Sequence, residues 1–326
     1  MEAARPLRWG IAGFGWVARD HAAPGMAAAG AELVAVCDPD PAARAAAGAA
    51  AGFASLDVML RDGRLDALYV ATPNHLHRDA VERAAEAGVA VLCEKPMAAR
   101  LDDAEAMARA VRRAGIRYGT AYDQRHHPAH EAMRGMIAEG RLGTVTAIRI
   151  VYCCWLASGW SADNWRADRT RAGGGALLDL APHGLDLVQF LLGERLVEVR
   201  ALGQHRVQDY AVEDGAVLIA RSATGALASL HVAYNHRETL PRRRLEVVGT
   251  EGMLVAENTM GQSPGGALTW LDEEGAARVV AVPHGDPFAR QMAAFGRHLR
   301  EGGDGFDLER DLHTERLVHQ AVDQCL

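Results

Sequence analysis

Three polar side chains in an apolar stretch have the spacing of one helix face. They are Asp179, His183 and Asp186, and they follow a run of three glycines at residues 173–175. Side chains three and four residues apart are neighbours on a helix. A carboxylate beside a neutral imidazole can orient a hydroxyl and exchange a proton with it, which is general acid–base chemistry. A capping aspartate and a hydrogen-bonded core histidine would give the same spacing without any chemistry.

Pro182 restricts where this helix can begin. A proline is tolerated in a first turn, because its missing N–H would have no partner there anyway. We therefore expect the helix to begin near Leu178 or Asp179, with Asp179 and His183 in its opening turns. The partial positive charge at a helix N-terminus favours an ionised carboxylate and a neutral imidazole.

The elements that must position these residues begin with a predicted dinucleotide-binding unit. An apolar strand at 7–12 leads into a glycine turn, an alanine-rich helix follows to about residue 28, and a strand at 32–37 ends in an aspartate. The first glycine allows a tight turn, and the second lets the backbone approach a pyrophosphate at the helix N-terminus. The cofactor-binding residues predicted in this unit are Gly13, Phe14, Gly15, Trp16, Val17 and Asp38.

Asp38 indicates which nicotinamide dinucleotide is bound. It lies roughly 20 residues after the glycine turn, where the acid that binds the ribose hydroxyls is expected. Its carboxylate would repel a 2′-phosphate, so NAD is favoured over NADP. Arg44 is close enough in sequence to leave NADP open.

Strands and helices continue to alternate as far as residue 121, which predicts a parallel sheet with helices on both faces. Strands are expected at 65–71, 89–93 and 117–121, and helices at 78–87 and 101–114. Ligands of such sheets lie at the carboxyl ends of the strands. The residues at these ends that we add to the predicted cofactor site are Thr72, Pro73, Asn74, His77, Glu94 and Lys95.

Lys95 has two interpretations. At the ligand edge of a sheet, a lysine can hydrogen-bond a substrate oxygen and lower the pKa of a neighbouring acid or base. Without that context it would be a surface lysine in a turn. Pro96 follows it, and a cis peptide bond is an option there.

From Tyr122 onward the pattern changes to a helix at 128–140, many short strands and two closing helices at 287–300 and 308–325. Short strands separated by turn signals predict a largely antiparallel sheet. The predicted fold class is α/β. A Rossmann domain with a doubly wound parallel sheet spans 1–121, and an α/β domain with a large, mainly antiparallel open sheet spans 122–326. The uncovered face of that sheet predicts a homodimer or homotetramer.

Charge and composition exclude several classes of partner. The net charge is −7 and the longest basic run is three arginines at 242–244, so no nucleic acid is expected. No segment approaches the roughly 20 apolar residues of a membrane span, and no signal peptide is recognisable. The five cysteines are scattered, and two of them, Cys153 and Cys154, are adjacent, a poor geometry for a disulfide. A cytoplasmic location is therefore expected.

No metal site is expected from the histidines. His75 and His77 lack the spacing of a zinc site, and no cysteine or carboxylate cluster completes one. The same holds for His126, His127 and His130.

Taken together, these motifs resemble the glucose–fructose oxidoreductase / inositol dehydrogenase / rhizopine-catabolism family. The resemblance implies hydride transfer between a nicotinamide and a secondary alcohol or ketone of a sugar or cyclitol. The segments that carry it, beyond the glycine run with Asp179 and His183, are Gly13-Phe-Gly-Trp-Val-Ala18, Ala71-Thr-Pro-Asn-His-Leu-His77, Glu94-Lys-Pro96, Tyr122-Asp-Gln-Arg-His-His-Pro128, Asn164-Trp-Arg166 and Val247-Val-Gly-Thr-Glu-Gly252.

The resemblance also implies roles for particular residues. His183 would exchange the proton with the reacting hydroxyl, Asp179 would orient it, and Lys95 would hydrogen-bond the same oxygen. The substrate would be bound by Tyr122, Arg125, Trp165 and Arg166 together with Asp179 and His183.

The chain departs from the family in the same region. Asp123 stands where the family frequently has asparagine, and His126 where it has an aromatic residue, which leaves the charge of the pocket open.

Three alternatives share this fold and cofactor. An NAD-using glycosidase would need a further acid and base, and none can be singled out. A dihydrodiol-type dehydrogenase would differ in substrate only. A non-catalytic dinucleotide-binding sensor would have no need for Lys95, Asp179 and His183 together.

Overall fold

The computed structural model describes residues 5–48, 50–157, 159, 164–262, 264–303 and 305–325. The chain divides into two compact units. The first comprises Met1–Ala121 and Phe288–His313, and the second comprises Tyr122–Pro287 and Thr314–Leu326. Among the described residues, no helix has the length and apolar character that crossing a membrane requires.

The strands and helices are numbered in chain order. The strands are β1 (Arg8–Ala12), β2 (Glu32–Cys37), β3 (Ala51–Phe53), β4 (Ala67–Val70), β5 (Ala90–Cys93), β6 (Tyr118–Thr120), β7 (Val145–Cys153), β8 (Leu196–Gln204), β9 (Gly215–Ser222), β10 (Leu227–Ala233), β11 (Arg243–Gly249), β12 (Gly252–Glu257), β13 (Ala267–Asp272) and β14 (Ala277–Val279). The α-helices are α1 (Ala23–Ala28), α2 (Pro41–Ala46), α3 (Leu56–Asp62), α4 (His77–Glu86), α5 (Leu101–Ala114), α6 (Pro128–Ala138), α7 (Arg169–Ala172), α8 (Ala176–Leu192), α9 (Pro287–Glu301) and α10 (Leu308–Gln324). A π-helical turn at Ala18–Ala22 precedes α1, and 3₁₀ turns lie at Asn74–Leu76, Asp123–His126 and Trp165–Ala167.

The first unit is built on a six-stranded sheet in the order β3-β2-β1-β4-β5-β6. All of its strand pairs are parallel. Strands β4 and β5 are buried along their whole length, as central strands covered on both faces should be. The strand order reverses between β1 and β4, which is where ligands of doubly wound sheets bind. The predicted Rossmann fold is confirmed.

The segment at 288–313 belongs to the first unit, whereas the sequence assigned it to the second domain. Phe295 packs on Trp9 with ring centroids 5.6 Å apart, and on Phe306 at 5.0 Å. The buried Asp311 carboxylate accepts a hydrogen bond from the Thr120 N–H at 2.8 Å. The Asp311 carboxylate thus contacts β6 from 191 residues later in the chain, and Phe295 contacts β1 from further still. Local sequence patterns contain no information about such a return.

The second unit is built on an eight-stranded sheet in the order β14-β13-β12-β11-β7-β10-β9-β8. The pairs are antiparallel except for the parallel pair β7 and β10. The predicted mainly antiparallel sheet is therefore confirmed. Helix α8 lies on one face, where Gly184 leaves room for Leu230 of β10. On the opposite face, Val217, Ile219 and Leu227 are more than half exposed.

Helix α8 begins at Ala176, before the predicted start, and Pro182 lies inside it. The expectation that Pro182 falls in the first turn was wrong, and the reason is a contact that spacing does not reveal. A Glu213 carboxylate oxygen accepts hydrogen bonds from the N–H groups of Gly175 and Leu177, at 2.7 and 3.1 Å. The Glu213 carbonyl oxygen accepts a third from Ala176 at 3.1 Å. These contacts satisfy N–H groups that a helix leaves without intrahelical partners, so the helix starts where Glu213 can reach it.

Gly175 allows this close approach. A Cβ at Gly175 would lie 2.1 Å from the Glu213 carbonyl oxygen, so the backbone would have to move away from its hydrogen-bond partners. We expect Gly175→Ala to lower the free energy of unfolding by about 2 kcal/mol or more, measured by urea denaturation.

Gly135→Ala is the matched control, because a Cβ there meets nothing within 4 Å and the position lies on the exposed side of α6. Alanine is the better helix former, so this change should raise the free energy of unfolding by about 0.5–1 kcal/mol. Equal stability of the two variants would contradict the role assigned to Gly175.

Candidate active site

The glycine turn after β1 has the geometry of a phosphate-binding turn. Gly13 has φ +83°, and a Cβ there would lie 2.8 Å from the Ala71 carbonyl oxygen, so only glycine fits. A Cβ at Gly15 would meet nothing within 4 Å, so its backbone is open to a ligand. The Asp38 carboxylate accepts hydrogen bonds from Phe14 N–H at 2.8 Å and Asp40 N–H at 2.9 Å. Asp38 therefore holds the turn as well as facing the ligand edge.

A second feature of this edge also suits a dinucleotide. The hydroxyl oxygen of Thr72, just after β4, is buried and has no hydrogen-bond partner among the described residues. A buried polar atom without a partner is costly, so a ligand hydroxyl or phosphate oxygen would satisfy it. Phe14 is buried, so it can contact a ligand only through its backbone. Trp16 is half exposed, and its ring meets the His21 ring edge-on with centroids 5.1 Å apart. Val17 lies between them in exposure.

His77 connects the two polar segments of the edge. It is almost fully buried, and its ring nitrogens lie 2.9 Å from the Thr72 carbonyl oxygen and 3.1 Å from the Pro96 carbonyl oxygen. It therefore ties the Thr72-Pro73-Asn74 segment to the turn after Lys95. Asn74 itself is buried. His77 contributes to a ligand site by holding its neighbours in place.

Lys95 lies half-buried in the turn after β5. The Lys95–Pro96 peptide bond is cis. The backbone N–H of Lys95 donates to the Glu94 carboxylate at 3.3 Å. The same carboxylate accepts a hydrogen bond from the Tyr69 hydroxyl. Glu94 in turn donates its N–H to the Val70 carbonyl oxygen at 2.8 Å. Glu94 thus fixes the backbone that carries Lys95.

In the second unit, Asp179 is oriented by a tyrosine. It lies half-buried in the first turn of α8, and one of its carboxylate oxygens accepts a hydrogen bond from the Tyr234 hydroxyl at 2.7 Å. Burial raises the pKa of Tyr234 well above its ordinary value, the Asp179 charge raises it further, and the Arg166 guanidinium lowers it. Tyr234 therefore remains a hydrogen-bond donor throughout the ordinary pH range.

His183 lies one turn further along the same helix and faces a second carboxylate. Its Nδ1 is 3.3 Å from an Asp123 carboxylate oxygen, within ion-pair distance although not aligned as a hydrogen bond. Both side chains are about 5% exposed. Gln124 donates to the other Asp123 oxygen at 2.8 Å, and Tyr152 meets the His183 ring edge-on at 5.6 Å. Asp123, noted above for its departure from the family, is therefore the carboxylate beside the histidine.

Arg125 and Asp186 form a buried pair. Nε of Arg125 donates to one Asp186 oxygen at 2.7 Å, and a second guanidinium nitrogen donates to the other oxygen. Both side chains are at most 5% exposed, and the guanidinium lies 4.9 Å from the centre of the Tyr122 ring. Arg125 and Tyr122 were predicted to line the substrate pocket. Their side chains lie in the interior, where they fix the 3₁₀ turn that carries Asp123.

Trp165 and Arg166 stand together in a 3₁₀ turn. The Arg166 guanidinium lies 4.4 Å from the centre of the Trp165 ring, and both residues are half-buried.

Sequence reasoning did not single out Tyr234, the partner of Asp179. It follows β10 and belongs to none of the matched motifs, so only the pairing of β10 within the sheet could have indicated that it meets α8. The structure brings Asp179 and His183, one turn apart on α8, together with Tyr234 and Asp123.

The possible metal ligands are not those considered from the sequence. Within the described part of the chain, three such side chains meet at one place, formed by Cys153, His231 and His236. None of the histidines weighed above belongs to that group.

Comparison with known proteins gives the family. Residues 7–122 match the family model "Oxidoreductase family, NAD-binding Rossmann fold", and residues 130–255 match "GFO/IDH/MocA C-terminal domain". The 1,5-anhydro-D-fructose reductase of Ensifer adhaerens is 35% identical over 294 residues, 88% of this chain and 86% of that protein. The chain belongs to the GFO/IDH/MocA oxidoreductase family.

Other members agree with this assignment. The inositol 2-dehydrogenase of Rhizobium meliloti (strain 1021) is 31% identical over 259 residues, 77% of this chain and 76% of that protein. The crystal structure of aldose-aldose oxidoreductase from Caulobacter crescentus matches with a TM-score of 0.88 and 26% identity, over 98% of this chain and 97% of that chain. As a family member, the chain has an NAD-binding Rossmann domain and is a dehydrogenase or reductase, as predicted.

His130 supports the turn that carries Asp123. It is fully buried, with Nδ1 2.8 Å from the Gln124 carbonyl oxygen and Nε2 2.9 Å from the Thr259 hydroxyl. Since a carbonyl oxygen only accepts, Nδ1 carries the proton and Nε2 accepts from Thr259, which is the neutral ring. Burial lowers the pKa of His130 to about 3, His127 adds to the decrease, and the bond with Gln124 opposes it.

This histidine should make stability depend on pH. In the unfolded chain it titrates near 6.5, so between pH 6.5 and 3 the unfolded state binds one proton more than the folded state. The free energy of unfolding should therefore fall with decreasing pH, by about 1.6 kcal/mol between pH 6.5 and 5 from this residue alone. Unfolding by urea at a series of pH values measures the slope.

The variant His130→Gln keeps one donor and one acceptor near Gln124 and Thr259 but does not titrate. The slope of the unfolding free energy against pH should be smaller in this variant than in the wild type, by the amount that corresponds to about one bound proton. His205→Gln, at an exposed position, should leave the slope unchanged. If His130→Gln had the wild-type slope, His130 would not be the buried neutral group described here.

Proposed function

We propose that this oxidoreductase transfers a hydride between NAD and a secondary alcohol or ketone of a sugar or cyclitol. The observation that carries the proposal is the row of side chains on α8, in which Asp179 is oriented by Tyr234 and His183 is backed by Asp123. The names of the relatives, a reductase of an anhydro-sugar and an inositol dehydrogenase, support this class of substrate.

His183 is the proton-exchanging group in this proposal. With Nδ1 facing Asp123, its Nε2 is the nitrogen that can take the proton from a substrate hydroxyl. The Asp123 carboxylate would stabilise the imidazolium that forms, as a buried acid beside a catalytic histidine does in other enzymes. In the reductive direction the same nitrogen would return the proton to the alkoxide oxygen.

Asp179 and Lys95 would hold the reacting oxygen. Tyr234 donates to one Asp179 oxygen. A carboxylate accepts several hydrogen bonds, so Asp179 would accept one from a substrate hydroxyl as well. Lys95 is assigned to the same oxygen on the family resemblance. Trp165 and Arg166 are the proposed contacts to the rest of a polyol. Arg125 and Tyr122 are proposed to act indirectly, by positioning Asp123.

The residues that would hold the cofactor are those of the glycine turn, Thr72 and Asp38. The bound cofactor would supply the hydride acceptor for oxidation of the carbinol and the hydride donor for reduction of the ketone. The Asp38 carboxylate would favour the ribose hydroxyls of NAD over a 2′-phosphate. One Arg44 nitrogen donates to the Asp38 and Pro39 carbonyl oxygens, at 2.6 and 3.0 Å. This engagement of Arg44 with the backbone supports the preference for NAD.

The function is tested by measuring NADH and NADPH production against inositols, hexoses, pentoses and anhydro-sugars. We expect turnover with NAD on at least one such polyol or, in reverse, NADH consumption on its ketone. His183→Ala should lower kcat by about 10²–10⁴-fold, the usual contribution of general acid–base catalysis.

Asp123→Asn isolates the carboxylate behind His183, because asparagine has the same shape without the charge. We expect kcat to fall at least about tenfold while KM changes little. The exposed Asp209→Asn serves as the control and should match wild type. No turnover on any polyol would contradict the proposed function, whereas full activity in Asp123→Asn would contradict only the role of Asp123.

We also propose that copies of the chain associate through the exposed face of the second sheet. Leu202, Val217, Ile219 and Leu227 lie on neighbouring strands and are each more than half exposed. A contiguous apolar patch of this kind marks an interaction surface.

A charge in that patch should prevent association. We expect Ile219→Glu to lower the mass found by sedimentation velocity to that of a single chain. Leu240→Glu, at an exposed apolar residue outside the strands, should leave the assembly intact. Unchanged assembly in Ile219→Glu would place the interface elsewhere.

A further inference from the structure

A cysteine and two histidines meet in the second unit, and none of them is among the residues assigned to hydride transfer. Cys153, His231 and His236 each bring one thiol or ring-nitrogen atom to within 4.8 Å of the others. Cys153 is fully buried and the histidines are half-buried. Such a group of one sulfur and two nitrogen atoms is the donor set that zinc prefers.

The sheet places two of these side chains on one face. Strands β7 and β10 are parallel, with His231 opposite Val151 and Ala233 opposite Cys153. Residues two apart on a strand point the same way, so His231 and Cys153 are diagonal neighbours. Their alternate neighbours Ile150, Tyr152 and Leu230 are buried with the residues of α8, so Cys153 and His231 point to the other side.

The third side chain is brought in by the continuation of β10. Beyond Ala233 the chain remains paired with the chain beyond β7. The His236 N–H donates to the Cys154 carbonyl oxygen at 3.1 Å, and Asn235 forms a bridge with Trp155. This pairing holds His236 beside the end of β7, and the rings of His231 and His236 meet edge-on at 5.3 Å. The backbone of all three residues is therefore fixed by the sheet and its extension.

One ring nitrogen in the group is buried without a hydrogen bond. Nδ1 of His236 is buried and has no hydrogen-bond partner among the described residues. An unsatisfied buried nitrogen is costly, and a metal ion would satisfy it. The competing interpretation is a packed cluster without metal, in which the Cys153 thiol donates to the His231 carbonyl oxygen at 3.6 Å.

The distances are compatible with coordination after small side-chain rotations. Zinc–sulfur and zinc–nitrogen bonds of about 2.3 and 2.0–2.1 Å place tetrahedral ligand atoms roughly 3.5 Å apart. The present upper limit of 4.8 Å exceeds this by about an ångström. Half-buried imidazoles can turn by that amount about their side-chain bonds without moving the strands.

We propose that Cys153, His231 and His236 form a zinc site with three protein ligands and a fourth position open to water or another donor. The site would join the end of β7, the middle of β10 and the segment after it. It is independent of the proposed dehydrogenase reaction.

Cobalt(II) tests the proposal directly, because it occupies zinc sites and is coloured. Full-length protein is treated with a chelator and titrated with Co²⁺. We expect one equivalent to bind, with the visible bands of tetrahedral Co²⁺ and a thiolate-to-cobalt charge-transfer band. Zn²⁺ should displace it and abolish the colour.

Single substitutions assign the ligands. Cys153→Ser and His236→Gln should each weaken Co²⁺ binding by about 10- to 100-fold or more, and Cys153→Ser should abolish the charge-transfer band. Cys154→Ser is the matched control, since it changes the adjacent cysteine outside the group, and it should bind like wild type. Circular dichroism checks that each variant is folded.

Two results would overturn the proposal. The first is the absence of saturable one-to-one Co²⁺ binding by folded wild-type protein. The second is retention of the charge-transfer band in Cys153→Ser, which would place the thiolate ligand at another cysteine. Neither depends on turnover, so both are separate from the test of the dehydrogenase.

Discussion

The N-terminus of α8 depends on a carboxylate that lies far away in the sequence. Helix α8 has no capping side chain of its own, and Glu213 takes that place through three hydrogen bonds to Gly175, Ala176 and Leu177. A helix end without partners for its N–H groups is unfavourable in a protein interior. This contact sets where α8 starts, and the start determines the rotation of every later side chain around the helix axis.

The polar side chains Asp179, His183 and Asp186 of α8 have partners on two other segments of the chain. Asp179 meets Tyr234 after β10, His183 meets Asp123, and Asp186 meets Arg125 in the same 3₁₀ turn as Asp123. A buried charge without its partner costs several kcal/mol, so each pair resists rotation of the helix. The Arg125–Asp186 pair thus also holds Asp123 in place beside His183, because Arg125 and Asp123 lie in the same 3₁₀ turn. The buried ion pair therefore fixes the turn that carries Asp123, the carboxylate beside His183.

The sequence predicted the elements well wherever local pattern was strong. The bounds of β2 and α5 agree with the prediction, because one is a clear β-branched and apolar run and the other an amphipathic helix ending in Gly115. Helix α2 and strand β3 were not predicted, since the stretch between residues 41 and 52 is mostly alanine and glycine and has no apolar periodicity. The short helix α3 was not predicted either.

Within the site, the identity of Asp179 and His183 could be read from spacing, but their partners could not. Tyr234, Asp123 and Glu213 meet α8 only because of strand pairing and chain return. The same limit applies to Cys153, His231 and His236. They are distant in sequence, and the pairing of β7 with β10 and the segment after it brings them together. Spacing alone therefore identifies a reactive helix face but not the residues that face it.

The return of residues 288–313 to the first unit has a consequence for how the protein is made. Trp9 and Thr120 lie in the first half of the chain, yet Phe295, Phe306 and Asp311 complete their surroundings. During synthesis the ribosome releases the Rossmann strands long before these partners exist. Until these partners are synthesised, part of the apolar surface of the first unit stays exposed. Chaperones can bind this surface during that period. Its core closes only as the last helices emerge.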